Sequence, residues 1–318
     1  MTLNLSEEQI ARLKEKFKFS YRLPYLEHCA QKIPLEGLDV LEIGGALPPS
    51  LVLDHCRCNS WTAVEAPSYD EELGEANQFH RNDADKERTE ALGQRYRHHY
   101  CNAEDLDESH KSQYDLIFSI ACFEHIARLP LAIEQMLLYL KPGGKLFTMH
   151  SPIWSAYDGH HLPISIPDRF DKQLQHQSYI FQPWGHLLQS RSQTYADIST
   201  RFDKQFAEEV IYNTYNSNHI NRYFSEDYFT IFNNSGFLIL EYQITFPNHP
   251  EQKTQQTLET RYPGYKQFAN NGIYAILHKP ETTLPMTPQV TIFRTEQASS
   301  SAIETAYAES GCHSVATE

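Results

Sequence analysis

The sequence predicts an α/β fold: a mostly parallel sheet with helices on both faces. Two observations carry this. Short apolar runs alternate with helix-like segments from residue 38 to residue 150, and the ends of those runs carry glycines or acids. Strands that alternate with helices favour parallel pairing through right-handed crossovers.

Each element can be justified in turn. Ser6 and Gln9 have capping-box spacing, and Ile10, Leu13 and Phe17 then recur at helical intervals. A second short helix is expected from Tyr25 to Gln31, stopping before Pro34. Gly37 introduces Leu38-Asp39-Val40-Leu41-Glu42-Ile43, a buried strand ended by Gly44-Gly45. Pro48 and Pro49 suit the first turn of a helix reaching Leu53. Trp61 to Val64 is the next strand and ends on Glu65; a polar, helix-compatible stretch runs to about Gly93, and Tyr96 to Tyr100 forms a third strand. Tyr114 to Ile120 is the clearest strand, followed by a helix bearing Leu131, Met136, Leu137 and Leu140. Lys141-Pro142-Gly143-Gly144 is a strong stop before a fifth strand from Lys145 to Met149. Residues 151–224 break the rhythm, and their many aromatic rings argue for a folded insertion. Ser225 is expected to cap a helix closed by Gly236, with strands from Phe237 to Phe246 and from Gly272 to His278. The Thr-, Ser- and Ala-rich tail from about Pro280 has no period.

Composition excludes some functions. The formal charge is −14, from 27 Lys plus Arg against 41 Asp plus Glu, and no basic cluster is dense enough to displace phosphate counterions. A nucleic-acid substrate is therefore disfavoured. No apolar run is long enough to cross a bilayer, and the N-terminus lacks a signal-peptide layout, so a cytoplasmic protein is expected. Six cysteines in 318 residues read as reduced thiols. Cys56 and Cys58 lack the spacing of a zinc hook and are expected to pack against the sheet. No metal site is expected.

In an open parallel sheet, ligands bind beyond the carboxyl ends of the strands. Gly44-Gly45 would let backbone approach a ligand there. Glu65, 21 residues after Gly44, is placed to accept hydrogen bonds from both hydroxyls of a ribose.

Here a resemblance becomes specific. Val40-Leu41-Glu42-Ile43-Gly44-Gly45 resembles the first motif of class I S-adenosylmethionine-dependent methyltransferases. Cys101-Asn102-Ala103-Glu104-Asp105-Leu106 is similar to the family's adenine-contacting segment. Tyr114 to Ser119 followed by Phe123-Glu124-His125-Ile126 resembles the fourth-strand motif. Leu140 to Leu146 resembles the turn before strand five, and Phe224-Ser225-Glu226 through Gly236-Phe237 the helix leading to strand six. The resemblance spans about 38–150 and 225–279 and implies a seven-stranded Rossmann-like sheet that binds S-adenosylmethionine. It also implies that Glu42, Gly44 and Gly45 border the methionine end, that Glu65 holds the ribose, that Asn102 and Ala103 meet the adenine, and that Ser119 and Ile120 line the sulfonium. One departure stands out: where the family often has three alternating glycines, the later two places hold Ala46 and Pro48.

The acceptor side is less defined. Asp158-Gly159-His160-His161 follows strand five, where such a fold overlooks the methyl group, so His160 or His161 is a candidate base or substrate contact, with a purely structural hydrogen bond as the competing role. A metal held by Asp158, His160 and His161 is disfavoured, because adjacent histidines in an extended segment diverge. His125 is a third catalytic candidate. Tyr21 and Tyr25 in the N-terminal helices, and Trp154 and Tyr157 in the insertion, are candidate substrate contacts, with core packing as their alternative. The expected layout is a helical cover (1–36), a cofactor domain (37–150 and 225–280), an inserted lid (151–224) and a tail (281–318). The expected activity is methylation of a small metabolite, at oxygen in preference to nitrogen or sulfur. A non-catalytic scaffold and a nicotinamide-dependent oxidoreductase remain as alternatives, and the oligomeric state is undefined.

Overall fold

Apolar runs bounded by turn residues form a seven-stranded sheet of order β3-β2-β1-β4-β5-β7-β6 in a computed structural model of the chain. The described residues are 22–66, 95–162 and 180–281, with positions 8, 11, 12 and 15 near the N-terminus. The Ser6–Gln9 capping box, Tyr21, the polar stretch before Gly93 and the tail after residue 281 lie outside them.

The first five strands are β1 (Asp39–Ile43), β2 (Ser60–Glu65), β3 (Tyr96–Tyr100), β4 (Tyr114–Ile120) and β5 (Leu140–His150), paired in parallel. Of the last two, β7 (Gly272–His278) runs antiparallel to both β5 and β6 (Leu238–Thr245). Strand order reverses between β1 and β4, so a crevice opens at their carboxyl ends.

Alternation of side chains splits the core between the two faces. On one face helix α1 (Arg22–Lys32) sets Leu23, Leu26 and Ala30, spaced three and four apart, with Ile33 just past its end, against Val40, Trp61, Phe118 and Phe147. On the other, α2 (Leu129–Tyr139) buries Ala132, Ile133 and Met136 against Leu41, Ile117 and Leu146. Cys29, Cys56 and Cys58 are buried as free thiols in the α1 face. Burial pushes the Cys58 thiol up to about 12.

Between β5 and β6 the chain adds α3 (Gly185–Leu188), α4 (Arg191–Arg201), α5 (Lys204–Tyr215) and α6 (Ser225–Asn234), and α7 (Gln252–Arg261) lies between β6 and β7. Ser190 and Gln193 form a capping box on α4, and Asp203 caps α5 by accepting from the Phe206 N–H. These helices have a small core of their own, with Leu162, Phe181, Ile198, Phe206 and Val210. A fourth cluster, with Trp154, Trp184, Ile220, Phe224 and Phe268, joins them to the C-terminal segment.

Three local expectations need correction. Phe224, not Ser225, is the N-cap of α6; the Asp227 carboxylate accepts from the Phe224 N–H at 2.8 Å, and the Ser225 hydroxyl instead accepts from Asn270 at 2.7 Å. The segment after Pro49 is a π-helical turn, Ser50–His55, wider than an α-helix. Finally, β5 starts at Leu140: the Lys-Pro-Gly-Gly turn is a bulge within the ladder, and Gly143 and Gly144 pair with the Lys279 backbone.

Candidate active site

The loop after β1 is pinned from three sides. Glu42 is 3 % exposed, and one of its carboxylate oxygens accepts from the Leu47 N–H at 2.8 Å and the Trp61 indole N–H at 2.7 Å. The Tyr96 hydroxyl donates to the Leu47 carbonyl, and the Gly44 N–H to the Val64 carbonyl. Gly44 has φ +82°, and a Cβ there would lie 2.2 Å from the Cys122 sulfur. Only glycine meets both constraints. Ala46 and Leu47 turn inward and are buried, which explains the missing later glycines: the chain dives into the core here. Ser119 is fully buried and donates to the Ile43 carbonyl at 2.9 Å, locking the ends of β1 and β4 together; Ile120 beside it is 4 % exposed.

At the end of β2, Glu65 is bonded to His98 Nε2 at 2.8 Å and remains partly exposed. After β3, Asn102 begins a turn in which its side-chain amide donates to Asp105 at 2.7 Å, and Ala103 is buried. These groups lie in sequence around the carboxyl ends of adjacent strands.

Beyond β4 the backbone is bent. Ala121 has φ +49°, and a 3₁₀ turn over Phe123–His125 follows. Asn221 clamps this turn: its amide donates to the carbonyls of Phe123 (2.6 Å) and Ile126 (3.1 Å), and its N–H to that of Glu124 (2.7 Å). Glu124 is fully buried, with no well-formed hydrogen bond to either carboxylate oxygen. Burial outweighs the nearby Glu124 and Ser151 backbone N–H groups and pushes the carboxyl up to about 8.

Three histidines converge here from separated segments. The His125 ring lies 4.6 Å from that of His161 and 4.8 Å from that of His219. His125 Nδ1 donates to the His219 carbonyl, which leaves Nε2 with the lone pair. Burial, only partly offset by that bond, holds His125 down at about 4, and burial with the neighbouring His125 holds His219 at about 3. Burial first, then the adjacent imidazoles, keep His161 well below its ordinary value; its φ is +40°. All three rings are therefore neutral at neutral pH, with lone pairs that can accept a hydrogen bond.

His160 goes the other way. It is 1 % exposed and packs on Phe181 (4.7 Å) and His186 (5.7 Å) inside the insertion. The two adjacent histidines thus diverge, and the structure brings His161 and His125 together but not His160. Trp154 is buried in the junction core, with the Arg222 guanidinium 5.5 Å over its ring; Tyr157 meets Trp184 edge-on at 6.0 Å. Tyr25 is buried in the α1 core. Sequence reasoning missed His219, Asn221 and the isolation of Glu124. Nothing in local spacing points to the first two, since their partners are about 95 residues away in the chain.

A family model described as a methyltransferase domain matches residues 14–242. No curated protein matches the chain in sequence. Among solved structures, the chain is similar to an S-adenosylmethionine-dependent methyltransferase from Mesorhizobium loti, at 11% identity and a TM-score of 0.43 over 83% of this chain and 100% of that one. It is also similar to phosphoethanolamine N-methyltransferase 2 of Haemonchus contortus, at 12% identity and a TM-score of 0.46 over 86% of this chain and 57% of that one. The family model covers well over half of the chain, and its span holds the first five strands, the glycine turn after β1 and the acid closing β2. The chain belongs to the methyltransferase domain family and is a class I S-adenosylmethionine-dependent methyltransferase.

Proposed function

We propose that the enzyme methylates an oxygen of a small-molecule acceptor in the cytoplasm, with His161 and His125 facing the acceptor. S-adenosylmethionine supplies an electrophilic methyl group when bound. The residues fit it: the turn at Gly44 and Gly45, held by Glu42, suits the methionine end; Glu65 can accept from ribose hydroxyls; Asn102 and the Ala103 backbone suit the adenine edge; Ser119 and Ile120 set the floor between β1 and β4.

The observation that carries the oxygen acceptor is the grouping of neutral imidazoles one turn beyond Cys122, the residue that touches Gly44. A hydroxyl acceptor must be oriented for in-line attack, and a neutral imidazole lone pair can accept its hydrogen bond and hold it there. Nitrogen or sulfur acceptors need no such group. The acidic composition favours a small molecule over nucleic acid, and the insertion between β5 and β6 is the natural lid. His160, packed in that insertion, would act on the lid and not on the acceptor. Tyr25, Trp154 and Tyr157, packed in the α1 and junction cores, would support the acceptor side from behind, and Tyr21 lies outside the described residues.

Calorimetry with S-adenosylmethionine tests the cofactor half: Glu65→Ala should weaken binding about tenfold, the loss of one good hydrogen-bonded contact. Unchanged binding would remove Glu65 from the site. A screen of hydroxyl, amine and thiol acceptors with methyl-labelled cofactor tests the other half; turnover of amines or thiols alone refutes the oxygen assignment.

A further inference from the structure

The histidine cluster contains more donors than a hydroxyl acceptor needs. Glu124, His125 and His161 can each aim one ligand atom at a common point, and those atoms lie within 4.8 Å of one another. We propose that these three residues form a binding site for a divalent transition-metal ion of the zinc class.

Four features support it. First, Glu124 is sealed from solvent with both oxygens lacking a well-formed partner, an arrangement that costs free energy unless a cation or proton completes it. Second, His161 Nδ1 is likewise buried without a partner. Third, His125 donates its other ring nitrogen to a backbone carbonyl, the outer contact that typically orients a metal-bound histidine and sets its tautomer. Fourth, Asn221 grips the Glu124–His125 turn from both sides, so two of the three donors are held by one rigid clamp.

The donor set selects the ion. Two imidazoles and one carboxylate suit zinc, cobalt or iron(II) and are poor for calcium or magnesium, which prefer all-oxygen shells. Tetrahedral zinc with bonds near 2.0–2.1 Å needs ligand atoms roughly 3.4 Å apart, so the widest pair must close by up to about 1.4 Å, within reach of side-chain rotation. Three protein ligands leave a fourth position, which an oxygen of the acceptor or a water would fill. The inference concerns the acceptor half of the site: a bound ion would occupy the lone pairs of His125 and His161 and hold the acceptor oxygen itself, in place of the direct hydrogen bond, and it does not depend on methyl transfer to oxygen.

The test uses the full chain, stripped with chelator. Titration with Co²⁺ should give one equivalent of a saturable visible absorption of the intensity typical of four-coordinate cobalt, abolished by competing Zn²⁺. Glu124→Gln and His161→Ala should each weaken Zn²⁺ binding at least tenfold, while His249→Ala, on an exposed loop, leaves it unchanged. Near-ultraviolet circular dichroism and S-adenosylmethionine calorimetry on the same samples report whether the variants are folded and whether the cofactor half still works. If a variant misfolds, X-ray absorption at the zinc edge of the loaded wild type decides: a shell of nitrogen and oxygen with imidazole scattering supports the site. No saturable binding by the wild type, a sulfur shell, or equal affinity in folded Glu124→Gln and His161→Ala would overturn it. Zinc bound without any methylation of hydroxyl acceptors would leave this inference standing and reject the acceptor reading instead.

Discussion

Substituting Gly44 by alanine tests the packing between β1 and β4 directly. The position has φ +82°, and an added methyl would sit 2.2 Å from the Cys122 sulfur and 2.4 Å from its Cβ. A left-handed backbone costs a non-glycine residue roughly 1–2 kcal/mol. Forcing a methyl into filled space costs about 1–3 kcal/mol more. Gly44→Ala should therefore destabilise the protein by about 2–5 kcal/mol. The clash and the backbone strain are separable. Cys122→Gly removes both clashing atoms, so the double variant should recover the packing part, about 1–3 kcal/mol of coupling, and keep the strain. Urea denaturation followed by tryptophan fluorescence gives all four corners of the cycle. S-adenosylmethionine binding should follow the same pattern, weakest in the single Gly44→Ala variant. A cost below about 0.5 kcal/mol, or strictly additive changes, would show that the Gly44–Cys122 contact is not what demands glycine.

Two other perturbations follow from the same geometry. Glu42→Ala removes the acceptor shared by the Leu47 N–H and the Trp61 indole, leaving two buried donors unmatched; a loss of about 3 kcal/mol in urea stability and weaker cofactor binding are expected, with Glu42→Gln milder. The buried His186, held down at about 4 by burial against a weaker raising effect of its bond to the Trp154 carbonyl, makes stability pH-dependent. Its folded value lies below its unfolded one, so its contribution is complete above about pH 6.5 and is lost as pH falls towards 4, about 3 kcal/mol in all. Urea midpoints across that window should flatten in His186→Gln; an unchanged slope refutes the assignment.

Most strands were legible because they are apolar runs with β-branched or aromatic residues closed by a turn signal, whereas β3, Tyr96–Tyr100, is polar between its two tyrosines. The helix α7 was not legible: Gln252 to Arg261 is polar except for Leu258, which it buries. Tertiary contact, not amphipathic pattern, holds it in place. The bulge in β5 escaped because proline and two glycines read as a stop, whereas the antiparallel partner β7 keeps the ladder going across them. In the candidate site, Gly44 and Glu65 could be singled out because they sit at strand ends, and Glu42 only through the family resemblance. His161 was visible only as half of a pair, and the direction of each imidazole depended on φ at His161. His219 and Asn221 carry no local signature, since the His219 carbonyl accepts from the His125 ring and the Asn221 amide donates to the Phe123 carbonyl, both partners lying on the far side of the insertion.

The clamp around Asn221 has a consequence beyond chemistry. The chain leaves β5 with the Ile153 N–H bonded to the Asn271 carbonyl, and it returns to α6 through Asn221, bonded to the turn after β4. The insertion therefore has a neck fastened to the scaffold at both ends. What lies beyond a fastened neck can change in length at small entropic cost, because each doubling of a loop adds only about 0.6 kcal/mol. An exchange between residues 162 and 218 would therefore have to keep Trp184 and Leu187, which tie the insertion to Phe268 and Tyr262.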